Sequence, residues 1–257
     1  MTGPLAAPAT RFVDLPAGHP GRRLLTGYTP WFSARADQRF PYSLYVPEDL
    51  RDDEAPLQLW VFVHGTGRRT VLYLDAFAEL ARAERAVILT PLFPVGIAGP
   101  DDVDNYKQLE CAGVRFDEIL LGMVDEVAHR WPVETSTFFL HGFSGGGQFS
   151  NRFALRHPDR VSAVSIGAPG RITLPVSAAP MPVQVVVGVL DDNPSEVAAV
   201  TGDPDARGRL TQARVLADTF RELGSQVRLD VVDGVGHEGG RVVDVVADFL
   251  REQLRGR

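Results

Sequence analysis

Six consecutive residues, Gly142-Phe143-Ser144-Gly145-Gly146-Gly147, separate two different hydrophobic periodicities. Upstream, Thr137 to Leu140 ends a short apolar run of the kind buried in a parallel sheet. Downstream, Phe149, Phe153 and Ala154 recur at helical spacing until His157-Pro158 stops the pattern. A chain that passes from strand to helix in so few residues turns sharply, and side chains two positions either side of the apex would collide with the adjoining strand and helix. Gly142 and Gly146 remove that conflict and leave Ser144 at the apex, above the carboxyl end of a sheet. The feature therefore demands a parallel strand with a helix packed straight back upon it.

The rest of the chain supplies such a sheet. Arg23 to Tyr28 and Phe40 to Val46 read as antiparallel strands, the second stopped by Pro47. Leu57 to Val63 is an almost unbroken apolar run ending at His64-Gly65, as expected of a strand covered on both faces. Val71 to Glu84 has helical spacing and leads into the run Ala86 to Leu92, which completes a βαβ unit. A polar loop from about Val95 to Ala112 precedes a long helix whose apolar face is Phe116, Ile119, Leu120, Met123, Val124 and Val127, ended by Pro132. Val161 to Ile166 and Val183 to Val189 are further buried strands. A loop over Asn193 to Gly208, a helix near Arg209 to Leu223, a strand near Val227 to Val232 and a helix near Arg241 to Leu254 complete the chain.

This order predicts an α/β architecture: a mostly parallel twisted sheet of about eight strands with an antiparallel start and helices on both faces. A Pro-rich segment over 1–22 is expected to precede a single domain over 23–257, a length that buries one large core. Only about a dozen residues lie between the runs ending near Ala168 and beginning at Val183, which leaves no room for a large helical lid.

Composition narrows the functional classes. A net charge of -7 disfavours nucleic acid, because an acidic surface repels phosphate backbones. The lone Cys111 closes no internal disulfide, and no cluster with zinc-ligand spacing occurs, so neither metal nor cofactor is expected. Asp101, Asp102, Asp104 and Asn105 lack the spacing and glycine of a calcium loop and read as a solvated acidic loop. Met1 to Gly21, broken by four prolines, has no apolar run of signal-peptide length, and no stretch is long enough to span a membrane. A soluble, cytoplasmic protein is the expectation, with its oligomeric state open.

A serine hydroxyl is a weak nucleophile until an imidazole takes its proton and a carboxylate orients that imidazole. Of the six histidines, only His237 follows both Ser144 and the His157-Pro158 helix end, in the glycine-rich stretch Gly234 to Gly240 just after the last strand. The acid is expected at the end of the preceding strand, where Gly188-Val189-Leu190-Asp191-Asp192-Asn193 offers two neighbours; spacing selects Asp191, with Asp192 as a cap of the turn or of the next segment. Gly145 and Thr66, the latter in His64-Gly65-Thr66-Gly67, are the expected backbone donors of an oxyanion hole. Phe93 and Tyr106 are expected to border the entrance and Phe143 to pack beneath the site. A phosphate cradle fits less well, because the Gly-Lys-Ser/Thr ending is absent and the turn falls midway through the sheet.

Together, His64-Gly65, Gly142-Phe143-Ser144-Gly145-Gly146, Gly188 to Asp191 and His237 resemble the α/β-hydrolase superfamily over about residues 40–254. Within it, Tyr42 to Pro47 and the absence of a lid look like small carboxylesterases and polyester-depolymerase-like esterases. The resemblance implies a serine hydrolase that cleaves a small-molecule carboxylic ester through an acyl-enzyme, with Ser144 as nucleophile, His237 as base and Asp191 as its orienting acid. An amidase, peptidase or thioesterase would use the same triad, and a non-hydrolytic lyase or binding protein the same fold.

Overall fold

The computed structural model describes residues 10–51 and 55–255. Of the expected Pro-rich segment, residues 1–9 lie outside the described residues. Short strands β1 (Gly27–Tyr28) and β2 (Phe32–Ser33) both pair antiparallel with β3 (Pro41–Val46), which in turn pairs antiparallel with β5 (Ala86–Pro91). From β5 onward, β4 (Gln58–Val63), β8 (Phe138–Phe143), β9 (Val161–Gly167), β10 (Val183–Gly188) and β11 (Val227–Val232) follow in parallel. The nine-stranded sheet runs β1-β3-β5-β4-β8-β9-β10-β11, with β2 beside β3. Strands β6 (Glu110–Cys111) and β7 (Val114–Arg115) form a separate hairpin.

Buried runs in the central strands require helices on both faces, and one pair of residues shows the division. Phe138 and Phe139 are successive in β8 and so point to opposite faces. Phe138 packs on Phe153 of α3 (Gly145–Arg156), and Phe139 on Phe249 of α6 (Val243–Arg255). Helix α1 (Val71–Ala83) meets α6 on its face, whereas α2 (Phe116–Arg130) joins α3 on the other. That join centres on Asp117, whose carboxylate is fully buried and accepts from Arg115 at 2.8 Å and from His157 Nε2 at 2.9 Å, with Arg156 Nε at 3.3 Å. Helices α4 (Pro194–Thr201) and α5 (Arg209–Glu222) follow β10, and α5 packs on β10 and β11. The whole is the α/β-hydrolase fold without a large lid: no helix forms between β9 and β10.

Three local readings of the sequence are corrected. Arg23 to Tyr28 is not one strand. Pro20–Leu24 forms a 3-10 turn, started by Pro20 and by His19 Nδ1 accepting from the Gly21 amide, so only Gly27 and Tyr28 pair. The polar loop before α2 carries a 3-10 turn at Asn105–Gln108 and the β6–β7 hairpin, whose turn residues Ala112 and Gly113 both have positive φ. The loop after β10 contains α4, signalled by Asn193 capping the Ser195 amide, Pro194 in the first turn and Gly202 in the left-handed C-terminal position. At the start of the chain, Phe12 is buried with Arg22 stacked over its ring, and Trp131 Nε1 donates to the Leu25 carbonyl at 2.8 Å.

Candidate active site

Ser144 sits between β8 and α3 with φ 59° and ψ -115°, a conformation that L-residues adopt only where the surroundings enforce it. Its amide donates to the Gly167 carbonyl at 2.8 Å, and its carbonyl accepts the first helical bond, from Gln148, at 3.0 Å. Glycine is obligatory on both sides: a Cβ on Gly142 would stand 2.4 Å from the Gly146 carbonyl, and one on Gly146 2.2 Å from the Val63 carbonyl. The first turn of α3 thus lies directly against the carboxyl ends of β4 and β8, and the amides of a helix's first turn have no partner within the helix.

The loops after β10 and β11 complete the arrangement. The Leu190 amide donates to the Val235 carbonyl at 2.9 Å, which ties the turn carrying Asp191 to the loop carrying His237. His237 Nδ1 donates to Asp191 Oδ2 at 2.6 Å, and its Nε2 lies 2.8 Å from Ser144 Oγ. A carboxylate only accepts, so Nδ1 carries the hydrogen and Nε2 accepts from the serine hydroxyl. The Asp191 carboxylate is 1% exposed whereas the imidazole is 29% exposed, so the chain of groups runs from the interior to the surface. The Phe143 ring packs against the imidazole at a centroid distance of 5.0 Å.

Asp192 points elsewhere. Its carboxylate accepts from the amide of Thr211 at 2.9 Å and from its hydroxyl at 3.1 Å, capping α5 from outside the helix. One partner of Asp191 escaped the sequence reading. Buried Arg209, the first residue of α5, donates from Nη1 to Asp191 Oδ1 at 3.0 Å. The two carboxylate oxygens are thereby divided between Arg209 and His237. No local signal marked Arg209, which stands 18 residues from Asp191 in one of several arginine-rich stretches.

Thr66 and Gly145 are brought side by side: a Cβ on Gly145 would lie 3.0 Å from Thr66 Oγ1. The loop carrying Thr66 is held from beneath. His64 Nδ1 donates to the Gly65 carbonyl at 2.8 Å, and its Nε2 accepts from the Phe93 amide at 3.0 Å. Burial pulls the His64 imidazole down to about 4, so it is neutral at neutral pH. Phe93 and Tyr106, expected at the entrance, are fully buried instead. Tyr106 donates its hydroxyl to the His64 carbonyl at 2.9 Å, so these aromatics brace the loop rather than line an opening.

Among the described residues, one group has metal-like spacing: Asp117, Glu118 and His157. Two arginines already contact Asp117, and their charge opposes a cation there. No helix among the described residues is long and apolar enough to cross a membrane.

No protein-family model matches the chain, and no curated protein sequence matches it. Solved structures do match. Poly(aspartic acid) hydrolase-1 from Sphingomonas sp. KT-1 superposes with a TM-score of 0.72 at 20% identity, over 88% of this chain and 99% of that one. LpqC, a poly(3-hydroxybutyrate) depolymerase from Bordetella parapertussis, gives 0.64 at 21% identity, over 85% and 84%. An S-formylglutathione hydrolase from Agrobacterium tumefaciens gives 0.62 at 15% identity, over 84% and 89%. At these identities the likeness is one of fold, and it agrees with the sheet order described above.

Proposed function

We propose that the protein is a serine hydrolase that cleaves carboxylic esters through an acyl-enzyme. The observation that carries this reading is the continuous relay Ser144 Oγ–His237 Nε2–His237 Nδ1–Asp191 Oδ2, at 2.8 and 2.6 Å, on a strained turn at the carboxyl edge of the sheet. In this reading Ser144 Oγ attacks the ester carbonyl carbon while His237 Nε2 accepts its proton. The amides of Gly145 and Thr66 donate to the oxyanion. His237 then returns the proton to the departing alkoxide. A water molecule gives up a proton to the same nitrogen and attacks the acyl carbon, and release of the carboxylic acid restores Ser144 with its hydrogen. Asp191 holds the imidazole tautomer and balances the charge that develops on it.

The names of the three structural neighbours cover an amide polymer, a polyester and a thioester. Paired ester, thioester and anilide substrates of one acyl group are expected to rank with the ester first by kcat/KM. A fluorophosphonate probe is expected to label Ser144, located by peptide mass spectrometry. Absence of that adduct in folded protein would overturn the hydrolase reading and favour a binding protein or lyase on the same fold.

A further inference from the structure

Lys107, the only lysine in the chain, is nearly buried and lies against the residue that follows Ser144. A Cβ on Gly145 would stand 2.8 Å from Lys107 Cε, closer than it would stand to Thr66 Oγ1. The ammonium group pairs with Asp104, whose side chain is 50% exposed. Burying a cation beside a reaction centre is costly unless its charge is used.

Lys107 is not alone. The charges of Arg68 and Arg171 both act on it, and that of Arg171 also acts on Arg152. Each of these half-buried arginines is held by neutral oxygens. Arg68 donates to the carbonyls of Thr66 and Phe93 and to Asn105 Oδ1, Arg152 to the carbonyls of Lys107 and Gln148, and Arg171 to the carbonyl of Thr201. Among the described residues, none of the three makes an ion pair with a carboxylate. Asp104 acts on both Lys107 and Arg68, and Asp102 acts on Arg68. Partly desolvated guanidinium groups held by neutral oxygens keep their charge uncompensated, and such charge focuses an anion.

We propose that this cluster, with Lys107 at its centre, is an acyl-side anion subsite, and that the preferred substrate carries a carboxylate a few bonds from the scissile carbonyl. This inference rests on the hydrolase reading above and adds the charge of the substrate to it. Gly145 supplies one of the two proposed oxyanion donors and Lys107 Cε lies beside it, so in this proposal an acyl-chain carboxylate a few bonds from the carbonyl competes with Asp104 for the ammonium. Arg68, anchored at 2.7 Å to the Thr66 carbonyl, is already fixed in place, which lowers the cost of ordering it on an anion.

The test compares methyl hydrogen glutarate with dimethyl glutarate, followed by titration of released acid. Wild-type protein is expected to favour the anionic hemiester by tenfold or more in kcat/KM, and the preference is expected to shrink as salt rises. Lys107→Met is expected to cut the ratio of hemiester to diester at least tenfold. Asp104→Asn, at an exposed position, removes the competing carboxylate and is expected to raise the ratio several-fold. A packing role alone would move both variants in the same direction, so opposite shifts carry the proposal. Equal ratios in all three proteins, or no preference for the hemiester in wild type, would overturn it while leaving the hydrolase reading intact. Failure of fluorophosphonate to label Ser144 would remove both.

Discussion

Ser144 can hold positive φ because the Gly167 carbonyl fixes its amide and α3 begins at the next residue; the strain is localised at the one hydroxyl that faces His237. Ser144→Ala keeps the turn and removes the proposed nucleophile, so turnover is expected to fall by a factor on the order of 10⁴ or more with an unchanged melting curve. Asp191→Asn retains shape but offers the imidazole a poor acceptor, and kcat is expected to drop about 10⁴-fold. Asp192→Asn is expected to alter kcat only mildly, because Asp192 contacts Thr211 rather than His237. Steady-state kinetics on the two aspartate variants distinguish them, and the reverse ranking would reassign the acid. Arg209 belongs to the same unit: Arg209→Gln strips a buried carboxylate of one of its two partners and is expected to cost about 3 kcal/mol in urea unfolding, the lower end for breaking a buried ion pair. Spacing alone selected Asp191 over its neighbour, but Arg209 was illegible because an arginine in a helical stretch has the same local pattern whether it faces solvent or a buried acid.

At the level of elements, the start of α5 is a second support of the site. Arg209 binds the Asp191 carboxylate, the Leu210 amide donates to the Asp191 carbonyl at 2.9 Å, and Thr211 is capped by Asp192. The helix therefore docks on the acid-bearing turn through three consecutive residues. Asp192→Ala removes the cap and is expected to lower stability by about 1 kcal/mol, read as a fall in melting temperature. The long strands and helices were visible in the sequence because each repeats its apolar residues at the period of its own backbone. Helix α4 and the β6–β7 hairpin were read as loop because neither is long enough to show a period; their signals were the cap Asn193-Pro194 and the turn Ala112-Gly113. Phe93 and Tyr106 were misplaced for a related reason. Phe93 lies in irregular chain and Tyr106 in a 3-10 turn too short to show a period, so nothing local tells an inward side chain from an outward one, and their burial follows from their contacts with His64.

Across the whole molecule, three buried titratable groups push in one direction with pH. Burial draws His64 down to about 4 and His141 to about 3 from an unfolded value of 6.5. The unfolded chain therefore takes up these protons first, and stability present above pH 6.5 is lost as pH falls toward 4. Two such protons correspond to roughly 3 kcal/mol per pH unit at the steepest part of that window. Asp117 adds a further loss below its unfolded value of 3.8: burial alone would raise it, but the hydrogen bonds from Arg115 and His157 and the charge of Arg115 bring it to about 2. Urea unfolding at pH 7, 6 and 5 measures the first effect, and a flat free energy across that range would contradict it. The same histidines mark the boundary between what a linear sequence specifies and what it leaves open. Alternating apolar runs and the glycines around Ser144 determined a parallel sheet, helices on both faces and a serine at a strand-to-helix turn, because those are properties of backbone geometry and burial over a few neighbouring residues. Which side chains meet at the edge of that sheet was decided only by the order of the strands. Arg209 on Asp191, Tyr106 under His64 and Lys107 against Gly145 are contacts between residues that strand order and loop closure bring together, and no local pattern encodes such distances.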